Sequence, residues 1–150
     1  MRKLILTTLL CTAVGLLGYA QNPVHWTYSA QKTATDEYEI ILKADLDKGW
    51  CMYSQYLAND DGPVRTSVNF ESNTNIQLLG KTEEDPTHRK EIDDQVFGMK
   101  LIKFYDAAIF KQHIKVKSGV KNINGVVTYM SCDNAMCLPP KDVRFSVTLP

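Results

Sequence analysis

Four cysteines, Cys11, Cys51, Cys132 and Cys137, are the residues of this sequence best suited to covalent chemistry. Cys132 and Cys137 are separated by Asp-Asn-Ala-Met, and Asp and Asn are residue types that favour turns. The two sulfurs are therefore predicted to lie on facing strands of a hairpin, where Cβ atoms are about 4.5–5.5 Å apart. Because a disulfide usually spaces its Cβ atoms about 3.5–4.5 Å apart, a bond between these two cysteines would form easily.

A disulfide across so short a loop stabilises a fold only weakly. Closing six residues contributes roughly 2 kcal/mol in the chain-entropy model, against about 4–5 kcal/mol for a hundred residues. A disulfide at the end of a hairpin is instead accessible to an attacking thiolate, which favours thiol-disulfide exchange. Two alternatives stay open: a structural clip in a noncatalytic interaction module, and a soft-metal site made from Cys51, Cys132, Cys137 and Met136.

The sequence neighbours of the pair do not favour an attacking thiolate. Asp133 is negative, and no lysine or arginine lies between the two cysteines, whereas reactive thiols usually have electropositive surroundings. We therefore expect the pair to be attacked and to pass electrons on rather than to initiate chemistry. Pro139 and Pro140 remove two backbone donors after Cys137, which indicates an extended segment that either receives a partner or protects a sheet edge.

The elements that position these cysteines are predicted to be short strands. Apolar and polar residues alternate with a period of two in segments that start at Tyr38, Val64, Ala108, Val126 and Val143, as expected of half-buried strands. No segment of ten or more residues has helical apolar spacing. Seven to nine such strands predict an all-β fold, an immunoglobulin-like antiparallel β-sandwich. The polar residues 80–95 are predicted to form a solvated loop, or a loop that covers something.

Composition and charge limit the functions that the chain can have. The 150 residues are 44% hydrophobic and 23% charged, with 17 basic and 17 acidic side chains, so nucleic-acid binding is not expected. Arg2 and Lys3 precede an apolar run over residues 4–17 that is too short to span a membrane. Residues 1–20 are predicted to be a secretory signal peptide that includes Cys11, and residues 21–150 one exported domain. Three cysteines then remain, so at least one is unpaired within the chain.

Several segments together resemble a known family. They are Val127-Thr128-Tyr129 before Cys132, Cys137-Leu138-Pro139-Pro140, the stretch Lys48-Gly49-Trp50-Cys51-Met52-Tyr53-Ser54-Gln55, and Phe97-Gly98-Met99. The chain resembles the N-terminal periplasmic domain of DsbD, a transmembrane protein-disulfide reductase, over essentially its whole exported part. The resemblance implies an immunoglobulin-like sandwich with a redox-active cysteine pair at one end.

The resemblance also implies roles for individual residues. Cys132 and Cys137 would be the redox pair, with Cys51, Tyr53, Pro139 and Pro140 near it. A cap loop would cover the pair and move aside for a partner. This loop corresponds to Asp94, Val96, Phe97 and Gly98. Phe97 would be the side chain that covers the pair, or Val96 if the alignment is shifted by one residue. Alternatively, Phe97 is an aromatic residue of the core.

The family context further implies the partners and the location of the domain. The partners would be exported thioredoxin-fold proteins, including disulfide isomerases and proteins of cytochrome c maturation. Electrons in the family come from the thioredoxin-like end of the membrane system. Here we expect a separate membrane electron transporter to reduce a monomeric periplasmic domain, unless the domain has another use, and we expect no cofactor, metal or small-molecule substrate. Two departures stand out. Four residues separate the cysteines where well-known members have five, and Cys51 stands where the family has an aromatic residue or histidine. Cys51 is either a third redox thiol or a buried unpaired cysteine.

Overall fold

The computed structural model describes residues 22–57 and 61–150. This part of the chain consists of strands, turns and loops without a helix, and its strands pair antiparallel. The strands are β1 (Val24–Ala34), β2 (Glu37–Leu46), β3 (Cys51–Tyr53), β4 (Ser67–Phe70), β5 (Ile76–Glu84), β6 (Arg89–Asp94), β7 (Met99–Tyr105), β8 (Ala107–Val116), β9 (Asn122–Tyr129), β10 (Ser131–Cys132) and β11 (Lys141–Thr148). The predicted signal peptide, with Cys11, lies outside the described residues.

The main core lies between sheets that face each other. One sheet has the order β1-β2-β8-β5 and another the order β11-β9-β4. Because successive side chains of a strand point to opposite faces, alternate residues of β2, β8, β9 and β11 meet in one buried cluster, which includes Ile40, Leu42, Phe110, Ile114, Ile123, Tyr129, Phe145 and Val147. Two sheets packed over a shared core form a β-sandwich. The prediction of an all-β, immunoglobulin-like antiparallel sandwich is confirmed.

A third sheet, of order β10-β3-β7-β6, carries the cysteines. Its strands β3 and β7 contribute Met52 and Phe104, which are register partners, to the main core. The opposite face of β3 contributes Cys51 and Tyr53 to a second, smaller cluster that also contains Cys132. All three residues of β3 are therefore buried, and this burial on both faces fixes the positions of Cys51 and Tyr53.

The predicted strand pattern is correct for the half-buried strands and wrong for two polar ones. The alternating segments that start at Tyr38, Ala108 and Val143 are confirmed as β2, β8 and β11. The described residues contain eleven strands rather than seven to nine, and the loop predicted over residues 80–95 is mostly strand, formed by β5 and β6. Both strands lie at sheet edges, where exposed polar side chains are tolerated and even protective. Their sequences therefore lack the apolar alternation on which the prediction depended.

Candidate functional site

Cys132 and Cys137 form a disulfide across a tight hairpin, as their spacing predicted. Their Cα atoms are 4.0 Å apart, and the two residues form an isolated antiparallel bridge. Backbone hydrogen bonds flank the pair: the Asp133 N–H donates to the Met136 carbonyl and the Leu138 N–H to the Ser131 carbonyl, both at 2.9 Å. The pair thus occupies a non-hydrogen-bonded position, where facing residues approach most closely.

Asp133 shapes the turn between the two cysteines. Its Oδ1 atom accepts hydrogen bonds from the backbone N–H of Ala135 at 2.8 Å and of Met136 at 2.7 Å. Such side-chain to backbone bonds are the reason that Asp favours turns. Asp133, the negative residue next to Cys132, therefore stabilises the turn between the two cysteines.

The two sulfurs differ in their access to solvent. Cys132 is 3% exposed and belongs to the small cluster with Cys51, Tyr53, Leu57 and Leu101, whereas Cys137 packs at the margin of that cluster and is half-buried. An incoming thiolate must reach the sulfur that it attacks. Cys137 is therefore the sulfur that a protein partner can approach.

Tyr53 lies beneath the disulfide and holds it by a hydrogen bond. Its hydroxyl donates to the Sγ atom of Cys132 at 3.1 Å, and the side chain is 1% exposed. Burial, together with the nearby Cys51 and Asp94, raises the pKa of Tyr53 well above its ordinary value. The hydroxyl therefore stays protonated and remains a donor to sulfur.

A second hairpin, between β6 and β7, brings the predicted cap loop to the same place. The Oδ1 atom of Asp94 accepts the backbone N–H groups of Val96 at 2.8 Å and Phe97 at 2.9 Å. Gly98 adopts a φ of 63°, in the left-handed region that glycine enters without steric cost. The turn is thus fixed by one carboxylate oxygen and one glycine.

Lys103 extends this arrangement beneath the disulfide. Its ammonium group donates to the Oδ2 atom of Asp94 at 2.5 Å and lies 5.3 Å from the centre of the Tyr53 ring. Burial opposes the ionisation of Asp94, but the hydrogen bonds from Lys103, Phe97 and Val96 together hold the pKa of Asp94 below its usual value. A buried ion pair therefore connects the cap loop to the tyrosine that contacts Cys132.

Sequence reasoning missed Lys103, although a signal was present. Lys103 occupies an alternate position between Leu101 and Tyr105 on β7, and Leu101 is buried. A lysine on an otherwise apolar face is rarely buried unless it is paired. The sequence offered this lysine, but only the fold supplies its carboxylate partner.

The structure distinguishes the two residues considered for covering the disulfide. Val96 is 79% exposed. Phe97 is partly buried against the cluster that contains Cys132, and its ring meets the Tyr53 ring edge-on, with centroids 6.2 Å apart. Pro139 and Pro140 are exposed and line a surface groove with Tyr129, Ser131 and Leu138.

The Phe97→Ala substitution should accelerate reduction of the disulfide by a small thiol such as dithiothreitol. If Phe97 covers the disulfide and attack requires a minor open state populated at about 0.1–10%, removal of its ring should raise the rate by roughly tenfold or more. Val96→Ala is the matched control, since it truncates an exposed neighbour in the same loop. Equal rates for the two variants would show that Phe97 does not shield the bond. The rates are measured by alkylation of the released thiols.

Two further observations concern the described residues as a whole. Among them, no three His, Cys, Asp or Glu side chains lie close enough to hold a metal ion together. They also include no helix of the length and apolarity needed to cross a membrane.

Comparison with known families identifies the domain. The family model described as "Thiol:disulfide interchange protein DsbD, N-terminal" matches residues 20–149. The chain belongs to this family. The resemblance to DsbD N-terminal domains that was found in the sequence is thereby confirmed. No protein of curated function matches the chain.

Solved DsbD-type domains share the fold. The chain is similar to the reduced DsbD N-terminal domain of Neisseria meningitidis, with 17% identity and a TM-score of 0.54 over 82% of this chain and 84% of that one. It is also similar to the N-terminal periplasmic domain of ScsB from Proteus mirabilis, with 20% identity and a TM-score of 0.57 over 83% of this chain and 45% of that one. A third similar structure is the complex of the DsbD and PilB N-terminal domains of Neisseria meningitidis, with 16% identity and a TM-score of 0.52 over 81% of this chain and 80% of that one.

Proposed function

We propose that this domain is an exported thiol-disulfide exchange protein that relays electrons through Cys132 and Cys137 to thioredoxin-fold partners. The observation that carries the proposal is the disulfide at a hairpin end, with Cys137 accessible and Cys132 buried beside it. Membership of a family of thiol:disulfide interchange proteins supports it. So does the solved complex of a similar DsbD domain with the PilB N-terminal domain.

The relay has two steps. The sequence neighbours of the pair favoured a role in which it is attacked, but the proposed relay requires the reduced pair to attack. The Cys137 thiolate attacks a partner disulfide, which forms a mixed disulfide and releases one partner sulfur as a thiolate. The Cys132 thiolate then attacks the Cys137 sulfur, and the second partner sulfur leaves. The partner departs with two thiols and the domain retains the Cys132–Cys137 disulfide, so two electrons have passed to the partner.

The surroundings of Cys132 suit the second step. The Tyr53 hydroxyl donates to its sulfur, and a hydrogen bond to an ionised group favours the ionised form. The Lys103 ammonium adds positive charge below the same ring. These groups offset the unfavourable sequence neighbour Asp133, and they approach from β3 and β7 rather than from the segment between the cysteines.

The proposed relay also has a cellular location and an electron donor. Residues 1–20 would direct the domain to the periplasm, a location supported by the similar periplasmic ScsB domain. A separate membrane electron transporter would re-reduce the monomeric domain. The two sulfurs carry the electrons themselves, so the relay calls for no cofactor or small-molecule substrate.

The reduction potential of the pair tests this proposal against a structural clip. Equilibration in graded thiol buffers, followed by mass-spectrometric counting of alkylated cysteines, should give a value of roughly −120 to −270 mV, as in known exchange proteins. A variant that combines Cys11→Ser with Cys51→Ser, run in parallel, limits the count to the pair. A potential below about −300 mV is typical of structural disulfides and would favour the noncatalytic interaction module instead.

A further inference from the structure

Cys51 lies directly across from Cys132 on the neighbouring strand. The register of β3 and β10 pairs Cys51 with Cys132, and the isolated bridge pairs Cys132 with Cys137 on its other side. Neighbouring strands are about 4.8 Å apart, and facing residues project from the same side of the sheet. The three cysteines therefore form a row across adjacent strands, with Cys132 in the middle.

The side chain of Cys51 lies in the same buried cluster as Cys132, and Cys137 packs against that cluster. Tyr53, whose hydroxyl donates to the Cys132 sulfur at 3.1 Å, follows Cys51 by two residues on the same strand and belongs to this cluster as well. Cys51 is a free thiol and is 4% exposed, so the disulfide is the reactive group that it faces.

We propose that Cys51 is a third exchange thiol, which attacks the Cys132 sulfur from the side opposite Cys137 and moves the disulfide to Cys51–Cys132. Exchange at sulfur proceeds with the attacking and leaving sulfurs on opposite sides of the central one, and the strand register places Cys51 and Cys137 on opposite sides of Cys132. The Cys132–Cys137 bond breaks as the Cys51–Cys132 bond forms. Cys137 leaves with the electron pair and takes up a proton equivalent to the one that Cys51 lost, so there is no net oxidation.

The exchange would change which thiol the oxidised domain presents. In the structure the free thiol is the buried Cys51, whereas after exchange it is the half-buried Cys137. The oxidised domain would then carry an accessible thiol without having received electrons. This inference goes beyond the proposed relay, because it concerns a rearrangement within the domain and requires no partner protein.

The surroundings of Cys51 make the exchange dependent on pH. Burial raises the pKa of the Cys51 thiol, although Lys103 and the Cys132 backbone N–H oppose this effect. The titratable and charged groups that face it are Tyr53 on β3, Lys103 and Tyr105 on β7, Asp133 after β10 and Asp94 at the end of β6. Because the thiolate is the attacking species, the rate should rise about tenfold per pH unit below the pKa of Cys51.

Disulfide mapping of the native oxidised chain tests the proposal. A chain carrying Cys11→Ser is incubated with iodoacetamide at about neutral pH and about one unit higher. It is then digested with pepsin in acid, so that no exchange occurs during digestion. We expect label to accumulate on Cys137 together with Cys51–Cys132-linked peptides, at a rate independent of protein concentration. A bond that remains Cys132–Cys137 in every digest, whether or not Cys51 is labelled, overturns the proposal.

A Cys51→Ala variant supplies the control. Labelling of Cys137 should disappear in it while circular dichroism shows an unchanged fold. Persistent labelling of Cys137 in this variant, built on the same Cys11→Ser chain, would mean that its thiol becomes free without Cys51, and the proposal would be wrong. If the variant does not fold, the disulfide map of the chain with Cys51 intact still decides the matter. Neither result bears on the relay, which is tested with a partner protein.

Discussion

Cys132→Ser should leave a domain that forms a stable covalent complex with a thioredoxin-fold protein, whereas Cys137→Ser should abolish complex formation. Cys137 has the accessible sulfur and makes the first attack on the partner. Cys132 is 3% exposed, and its sulfur then attacks Cys137 and releases the partner. Removing the resolving sulfur therefore traps the intermediate, and removing the attacking sulfur prevents it. Either substitution should eliminate turnover completely, because two electrons require both sulfurs.

A matched pair of single-cysteine proteins makes this test specific. Both variants are built on Cys11→Ser and Cys51→Ala, so that only Cys137 or only Cys132 remains. The probe is a thioredoxin whose second active-site cysteine is replaced and whose first is coupled to thionitrobenzoate. Release of the coloured leaving group gives the rate, and a nonreducing gel shows the complex. Trapping by Cys132 alone would reverse the assigned order, and trapping by neither would count against the relay itself.

The fold could be predicted wherever one face of a strand is buried. In β2 and β8 apolar side chains alternate with polar ones because the sandwich core covers one face only. The edge strands β5 and β6 have no such contrast, since most of their side chains are exposed. Their strand structure depends on pairing with β8 and β7. A single sequence does not display those partners.

The site could be predicted in part for a similar reason. The disulfide follows from local spacing, because residues 133–136 close the turn by themselves. The position of Cys51 opposite Cys132 depends on the register of β3 with β10. The ion pair of Lys103 with Asp94 depends on how the side chains of β6 and β7 pack, since the register itself places Lys103 opposite Lys90. Strands β3 and β10 are distant in sequence, and β6 is a polar strand that the sequence pattern does not reveal. The sequence therefore supplied the reactive residues, and the topology supplies their electrostatic surroundings.

Lys103→Met should destabilise the domain by about 3 kcal/mol at neutral pH. Lys103 and Asp94 are each 7% exposed, and removing one partner of a buried ion pair leaves an uncompensated charge, at a cost of about 3–5 kcal/mol. Lys100→Met is the matched control on the same strand. Lys100 pairs with Glu91 at 3.7 Å in an exposed position, where an ion pair contributes about 0–1 kcal/mol. Urea unfolding of the two variants and the unsubstituted chain measures the difference.

The pH dependence of this effect separates the ion pair from simple loss of packing. The folded-state pKa of Asp94 lies below its ordinary value, so its contribution to stability is present above the unfolded pKa of about 3.9 and is lost as the pH falls through the folded value. The difference in unfolding free energy between the unsubstituted chain and Lys103→Met should therefore narrow in acid, whereas a packing defect would keep it constant.

Because the same carboxylate accepts the N–H groups of Val96 and Phe97, losing the ion pair should also loosen the predicted cap loop. Lys103→Met should then accelerate reduction of the disulfide by dithiothreitol, and Lys100→Met should not.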